Sequence, residues 1–201
     1  MDIAVRFGQY APTPLCEIMA RQGSDKARTG LSRRHNYTHY YFRLFEHDRD
    51  RSLRVLEVGI GSGASLRGWK VFFPRAEIFG VDINRRALFQ EDRVSTFACD
   101  MTSPDDVSRL WREPALGDLM DIMIDDGRHT MASQVVFFEN SIHKLAPGGV
   151  YVIEDVRTEM LSAFASKVSE WTSSLSLRAR VLSLRPEGNL YDNNLIAFQR
   201  M

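Results

Sequence analysis

Two short runs hold the side chains with the most chemistry in this sequence. They are IDDGRHT, with Asp125, Asp126 and His129, and IEDV, with Glu154 and Asp155. Carboxylates and an imidazole so spaced can hold a hard divalent cation through oxygen ligands, or they can move protons. Each run follows an apolar stretch, LMDIMI and VYVI, that reads as a strand, so the acids fall at the C-terminal ends of two strands. Neighbouring strands lie about 4.8 Å apart, close enough for the acids to converge. Three or four carboxylates that near one another repel unless something positive sits among them, and magnesium is the simplest choice. Taken singly, ordinary roles suffice: Asp125 or Asp126 as a helix cap, Glu154 or Asp155 paired with Arg128 or Arg157, His129 as a turn residue. Their joint occurrence beside a cofactor turn favours metal or catalytic use.

That turn is Leu53–Gly63, LRVLEVGIGSG, the stretch around which the rest is arranged. Leu53, Val55, Leu56, Val58 and Ile60 suit a strand covered on both faces. Gly59, Gly61 and Gly63 then let the backbone bend and approach a ligand, and the helix expected over 64–73 turns its first amides to the same spot. Gly59, Gly61 and Ala64 also fit the looser pattern of dinucleotide binders, which alone discriminates weakly. Glu57, an acid two residues before the first glycine, tips the reading. The string E-V-G-I-G-S-G resembles the first motif of class I S-adenosylmethionine-dependent methyltransferases, in which the glycine turn passes under the methionine part of the cofactor.

From Leu53 onward strands and helices alternate, the pattern of a parallel sheet with helices on both sides. Strands are expected over 76–82, 95–99, 119–125 and 150–154, with helices over 105–111, 133–145 and 159–172. Asp82 ends the second strand at the spacing of a carboxylate that accepts ribose hydroxyls, and Asp100 follows the third, placed to meet the adenine amine. The run KLAPGG, ending in Ala146–Gly149, reads as a turn before the fifth strand and is also typical of that class. Two closing strands, 178–184 and 194–199, joined through PEGNLYDN, look like the antiparallel hairpin that ends the class I methyltransferase sheet. A dinucleotide oxidoreductase usually closes with a parallel strand instead. The resemblance therefore implies an α/β, Rossmann-like fold with a mostly parallel seven-stranded sheet and an antiparallel final strand. Residues 1–50, with helices expected over 14–22 and 38–47, form a small N-terminal helical cap too small to fold alone. Residues 51–201 form the cofactor-binding domain, in one folding unit with the cap.

The chain has 201 residues, 44% of them hydrophobic, enough to bury one substantial core and short for two. Lys plus Arg equals Asp plus Glu at 26 each, so no net field draws a polyanion or an acidic membrane, and nucleic acid is not the favoured partner. Cys16 and Cys99 make neither a metal-ligand nor a redox pair in sequence, which suits a reducing cytosol. With no apolar run long enough to span a bilayer, and a start, MDIAVRFGQY, unlike a signal peptide, the expectation is a soluble cytoplasmic protein.

Read in order, the SDK turn Ser24–Lys26, His35-Asn36-Tyr37, LEVGIGSG, DDGRH and IEDV make the resemblance narrower. Together they are similar to the magnesium-dependent sugar O-methyltransferases of macrolide and polyketide biosynthesis. That resemblance implies magnesium at Asp126, Glu154 and Asp155 and a general base at His129. It implies S-adenosylmethionine at Glu57, Gly59, Gly61, Gly63, Asp82, Asp100 and Asp125. It further implies a glycosylated or polyol small-molecule acceptor from antibiotic biosynthesis, and a homo-oligomer is expected. A catechol-type acceptor would use the same metal logic, because vicinal phenols chelate as well. The competing classes are an NAD(P)-dependent oxidoreductase and a non-catalytic cofactor-binding module, which would show no metal requirement. Lys26 could bind the cofactor carboxylate or be solvated; His35 and Tyr37 could line the cofactor or acceptor side, or simply pack the cap.

Overall fold

The computed structural model describes residues 11–27, 35–184 and 191–201. The starting segment MDIAVRFGQY and most of the loop between the two closing strands lie outside them. Eight strands form one sheet: β1 (Arg54–Val58), β2 (Glu77–Asp82), β3 (Gln90–Glu91), β4 (Val94–Ala98), β5 (Met120–Asp125), β6 (Leu145–Ile153), β7 (Leu177–Ser183) and β8 (Asn194–Arg200). Their order is β3-β4-β2-β1-β5-β6-β8-β7. Strands β4, β2, β1, β5 and β6 run parallel. Strand β8 lies between β6 and β7 and is antiparallel to both. The order reverses beside β1, which opens a crevice at the strand C-termini. The strand beyond the seven expected is β3, two residues at the edge, antiparallel to β4. It is too short to carry a periodic signal.

The pleat of β1 sorts its side chains between two cores, as a strand buried on both faces must. Leu56 and Val58 face Val107 and Leu110 of α4 (Pro104–Leu110), Phe137 and Phe138 of α5 (Met131–Ser141), and Phe164 and Trp171 of α6 (Leu161–Ser174). Val55 faces Leu15 and Met19 of α1 (Pro14–Gln22), Tyr41 and Phe45 of α2 (Tyr37–Phe45), and Trp69 and Phe72 of α3 (Ala64–Phe72). Where α1 crosses α3, Gly68 supplies the clearance: a Cβ there would lie 2.2 Å from the Met19 sulfur. Trp69 is fully buried.

Local signals set the helix bounds. Thr13 accepts from the Cys16 amide at 3.3 Å and Pro14 follows it, so α1 starts there. It ends at Gly23, in the left-handed region at φ 78°, with Gly23 N bonded to Ala20 O and Ser24 N to Met19 O. This double closure reverses the chain and sends Ser24–Ala27 back over the sheet. The Ala146–Gly149 run differs from expectation. It is an irregularity inside β6 rather than a turn before it, for Leu145 pairs with Met120 and Val150 with Ile122 across it. No described helix is long and apolar enough to cross a membrane.

Candidate active site

The glycine turn is shaped by contact with the end of β5. Gly59 has φ +84°, and a Cβ there would sit 2.0 Å from the carbonyl oxygen of Asp126. No side chain fits. Asp82 fixes the turn from β2, its Oδ2 accepting from Ile60 N at 3.1 Å and Gly61 N at 3.2 Å. Gly59→Ala combines left-handed strain with a backbone clash, and a loss of about 2–4 kcal/mol is expected. Urea denaturation measures it, and a wild-type midpoint would contradict this account of the turn.

Two hollows open at the turn and share Gly59. One, about 370 Å³, is lined by Asp82, Ile83, Asp100, Met101 and Arg128 among others. Asp100 is held on its rim by the Thr102 amide and hydroxyl, which keep its carboxyl below the usual range. The other, about 260 Å³, is lined by Ser24, Asp25, Gly61, Ser65 and Asp126. Gly63 caps α3 beneath it.

The same pleat that sorts the core separates the acids. Asp125 ends β5 pointing into the α4–α6 face, where it is fully buried and accepts from Gly127 N at 3.2 Å and the Tyr151 hydroxyl at 3.4 Å. Burial pushes its carboxyl up to about 7. It lines neither hollow. Glu57 is likewise fully buried behind the turn, receiving Ser65 Oγ at 2.5 Å and Trp69 Nε1 at 2.6 Å. Burial raises its carboxyl too. Its role is to tie β1 to α3 beneath the glycine turn, without lining either hollow.

Asp126, one residue on, faces the opposite way. Its Oδ1 lies 3.2 Å from His129 Nε2, and His129 Nδ1 lies 3.4 Å from Asp155 Oδ2. One ligand atom from each of the three residues falls within 4.8 Å of the others. His129 (φ 54°) and Asp155 (φ 53°) both adopt left-handed backbone that L side chains rarely hold, strain of the kind that clusters at working sites. Two carboxylate oxygens and an imidazole that close suit a hard divalent ion, and in the present geometry the imidazole bridges the two acids. Burial works against a charge on His129. The hydrogen bond to Asp126 and the charges of Asp155 and Asp126 outweigh it, raising the imidazole to about 9.

Glu154 does not join this group, contrary to expectation. Following Val152 by two residues, it returns to the α1–α3 face, where Tyr41 donates to Oε1 and Lys26 Nζ lies 2.5 Å from Oε2. Lys26 is the residue that sequence reasoning left unplaced. It is 1% exposed, and its ammonium also reaches Asp126 Oδ2 at 2.6 Å and Glu57 Oε1 at 3.5 Å. Burial alone would strip its proton, but the three acids hold it charged, well above its ordinary range. Tyr37 and His35 stand behind Asp155: the Tyr37 hydroxyl donates to Asp155 Oδ1 at 2.5 Å, and His35 stacks on Tyr37. The only hint in sequence was arithmetic, since so many buried acids require a buried cation.

Raised values at Asp125 and His129 put more protons on the folded chain than on the unfolded one. Stability of the metal-free protein should therefore fall as pH rises through 7 and then through 9. Guanidinium midpoints should be lower at about pH 9.5 than at pH 6, with His129→Gln flattening the upper part. A flat profile in the unsubstituted protein would contradict the arrangement.

A crevice at the reversal of strand order, a glycine turn fixed by Asp82, and a closing β8 antiparallel to its neighbours are the features of the class I S-adenosylmethionine-dependent methyltransferase fold. Within that class the chain is related to the sugar O-methyltransferases of macrolide and polyketide biosynthesis. No family model matches it. It is 39% identical over 169 residues to the 8-demethyl-8-alpha-L-rhamnosyl tetracenomycin-C 2'-O-methyltransferase of Streptomyces olivaceus, covering 81% of this chain and 42% of the relative. It is 36% identical over 140 residues to the mycinamicin VI 2''-O-methyltransferase of Micromonospora griseorubida, covering 66% of this chain and 34% of the relative. The structure of MycE from the mycinamycin pathway, in complex with Mg and SAH, superposes with a TM-score of 0.73 at 28% identity, over 94% of this chain and 55% of that one. The chain spans less than half the length of these curated relatives.

Proposed function

We propose that this chain binds S-adenosylmethionine across the two hollows and methylates a sugar hydroxyl, or a similar vicinal diol, of a glycosylated natural product with the help of magnesium. The observation that carries this reading is the convergence of Asp126, His129 and Asp155, the first of which lines the glycine-turn hollow. The relatives' names specify 2'- and 2''-hydroxyls of sugars, which supports the acceptor class. The reading treats the helices before residue 50 as a cap within the same folding unit, since α1 and α2 share a core with β1 and α3. It also takes the protein to be cytoplasmic and homo-oligomeric.

When bound, S-adenosylmethionine supplies an electrophilic methyl group and magnesium a Lewis acid for the acceptor oxygen. The protein's part is orientation and proton transfer. Asp126 Oδ1 and Asp155 Oδ2 meet His129, while their second oxygens are occupied by Lys26 and Tyr37, which fixes how the two carboxylates are presented. His129 would accept the hydroxyl proton at Nε2, whose present partner, Asp126 Oδ1, is the oxygen a cation would take. Transfer would leave the hydroxyl proton on His129 and the methyl group on the acceptor oxygen, with S-adenosylhomocysteine as the other product. A cation on Asp126 and Asp155 would also withdraw the negative field that now keeps His129 protonated, freeing it to act as a base. In the first hollow, Asp82 and Asp100 would receive ribose hydroxyls and the adenine amine.

Calorimetric titration with S-adenosylhomocysteine, with and without magnesium, tests the binding part. A methyl-transfer assay on a demethylated rhamnosyl polyketide, with and without EDTA, tests the chemistry. Binding and magnesium-dependent transfer are expected, whereas transfer undiminished by EDTA would refute the metal. An NAD(P)H titration should show no saturable binding.

A further inference from the structure

We propose that Lys26 is a positioning residue, an internal counter-cation that pins the Gly23–Ala27 loop across the glycine turn and limits the charge that Asp126 presents to a divalent ion. The proposal rests on reading the hollows as the cofactor site and Asp126 as a cation ligand, but concerns a residue given no role there beyond orienting Asp126.

The argument starts with the loop. The Gly23 closure of α1 turns the chain back, Lys26 N is bonded to Ser24 Oγ at 3.3 Å, and Ala27 is fully buried. Ser24 and Asp25 form one wall of the hollow whose opposite wall is Gly59–Ser62 and Asp126. The described polar contacts joining those walls run through the Lys26 ammonium, which meets an acid on β1 (Glu57), one after β5 (Asp126) and one after β6 (Glu154). A compact ammonium with three donors can meet three carboxylates at once, which a planar guanidinium in the same space cannot. Removing it should free the wall, so that ordering the loop becomes part of the cost of binding the cofactor.

The second consequence concerns the metal. The positive charge lies 2.6 Å from Asp126 Oδ2 and so opposes any cation approaching Oδ1 of the same carboxylate. A unit charge at that range in a partly buried site is worth an order of magnitude or more in affinity. Losing Lys26 should therefore weaken the cofactor and tighten the metal. General loosening of the fold would weaken both.

The test compares wild-type protein with Lys26→Met, using Mn²⁺ followed by electron paramagnetic resonance and S-adenosylhomocysteine followed by calorimetry. Lys26→Met should bind S-adenosylhomocysteine about tenfold more weakly and Mn²⁺ about tenfold more tightly. Parallel weakening of both, or no change in either, overturns the proposal. If the single variant does not fold, Lys26→Met with Glu154→Gln removes the ammonium together with one acid. That double variant should still show the weakened S-adenosylhomocysteine binding, and wild-type affinity there overturns the proposal. Wild-type protein that binds neither probe refutes the functional reading itself and takes this inference with it. Wild-type protein that binds both beside an unchanged variant refutes this inference alone.

Discussion

Replacing His129 is expected to lower methyl transfer by about 10²–10⁴-fold while leaving S-adenosylhomocysteine affinity close to wild type, the range that a positioned general base contributes. The choice of substituent matters because His129 sits at φ 54°. Alanine there adds backbone strain, whereas asparagine tolerates the left-handed region. His129→Asn therefore isolates the chemistry: it keeps the turn and removes a group able to take a proton. Single-turnover rates with pre-bound cofactor measure the effect. A His129→Asn protein with wild-type turnover would remove the imidazole from the mechanism. The same variant should bind Mn²⁺ at least as well as wild type, because the protonated imidazole that competes for the carboxylate oxygens is gone.

The second large effect is expected from the carboxylates. Asp126→Asn with Asp155→Asn should abolish magnesium-dependent activity and cut Mn²⁺ affinity by about 10²-fold or more, since hard divalent ions depend on charged oxygen ligands. The two substitutions should differ in their structural cost. Asp155 is held by the Tyr37 hydroxyl and lies in left-handed backbone, both of which asparagine accepts. Asp126 is also the partner of a buried ammonium, and removing one member of such a pair costs about 3–5 kcal/mol. Asp155→Asn alone is thus the cleaner probe: a nearly unchanged denaturation midpoint with lost metal affinity. Retention of Mn²⁺ affinity in the folded double variant would place the cation elsewhere.

These two predictions, the pinned loop and the strained turn belong to one arrangement. Lys26 is the shared counter-cation of Glu57, Glu154 and Asp126, and His129 bridges Asp126 to Asp155. Tyr37, the first residue of α2, and His35, just before it, brace Asp155 from behind. Lys26, His35 and Tyr37, all ahead of β1, therefore belong to the acid centre itself.

What the sequence settles by itself is local. Thr13 and Pro14 start α1 and Gly23 stops it through bonds that span a few residues, so α1 runs over Pro14–Gln22 as its spacing predicts. The glycine turn and the alternation of strand and helix are legible for the same reason: each depends on residues within one element and its caps. The antiparallel closing pair follows from pattern and resemblance together. Tertiary structure decides which way each acid faces and what it meets. Asp125 and Asp126 are neighbours in sequence, yet the pleat sends one into a core and the other to the site. Lys26 finds its acids 100 and 128 residues away, at distances set by the packing of α1 against α3 and by the sheet order. A charge in a low-dielectric interior is governed by whatever lies within a few ångströms of it. Such neighbours are assembled from distant parts of the chain, and that is why the cation at the centre of the acids had to be found in space.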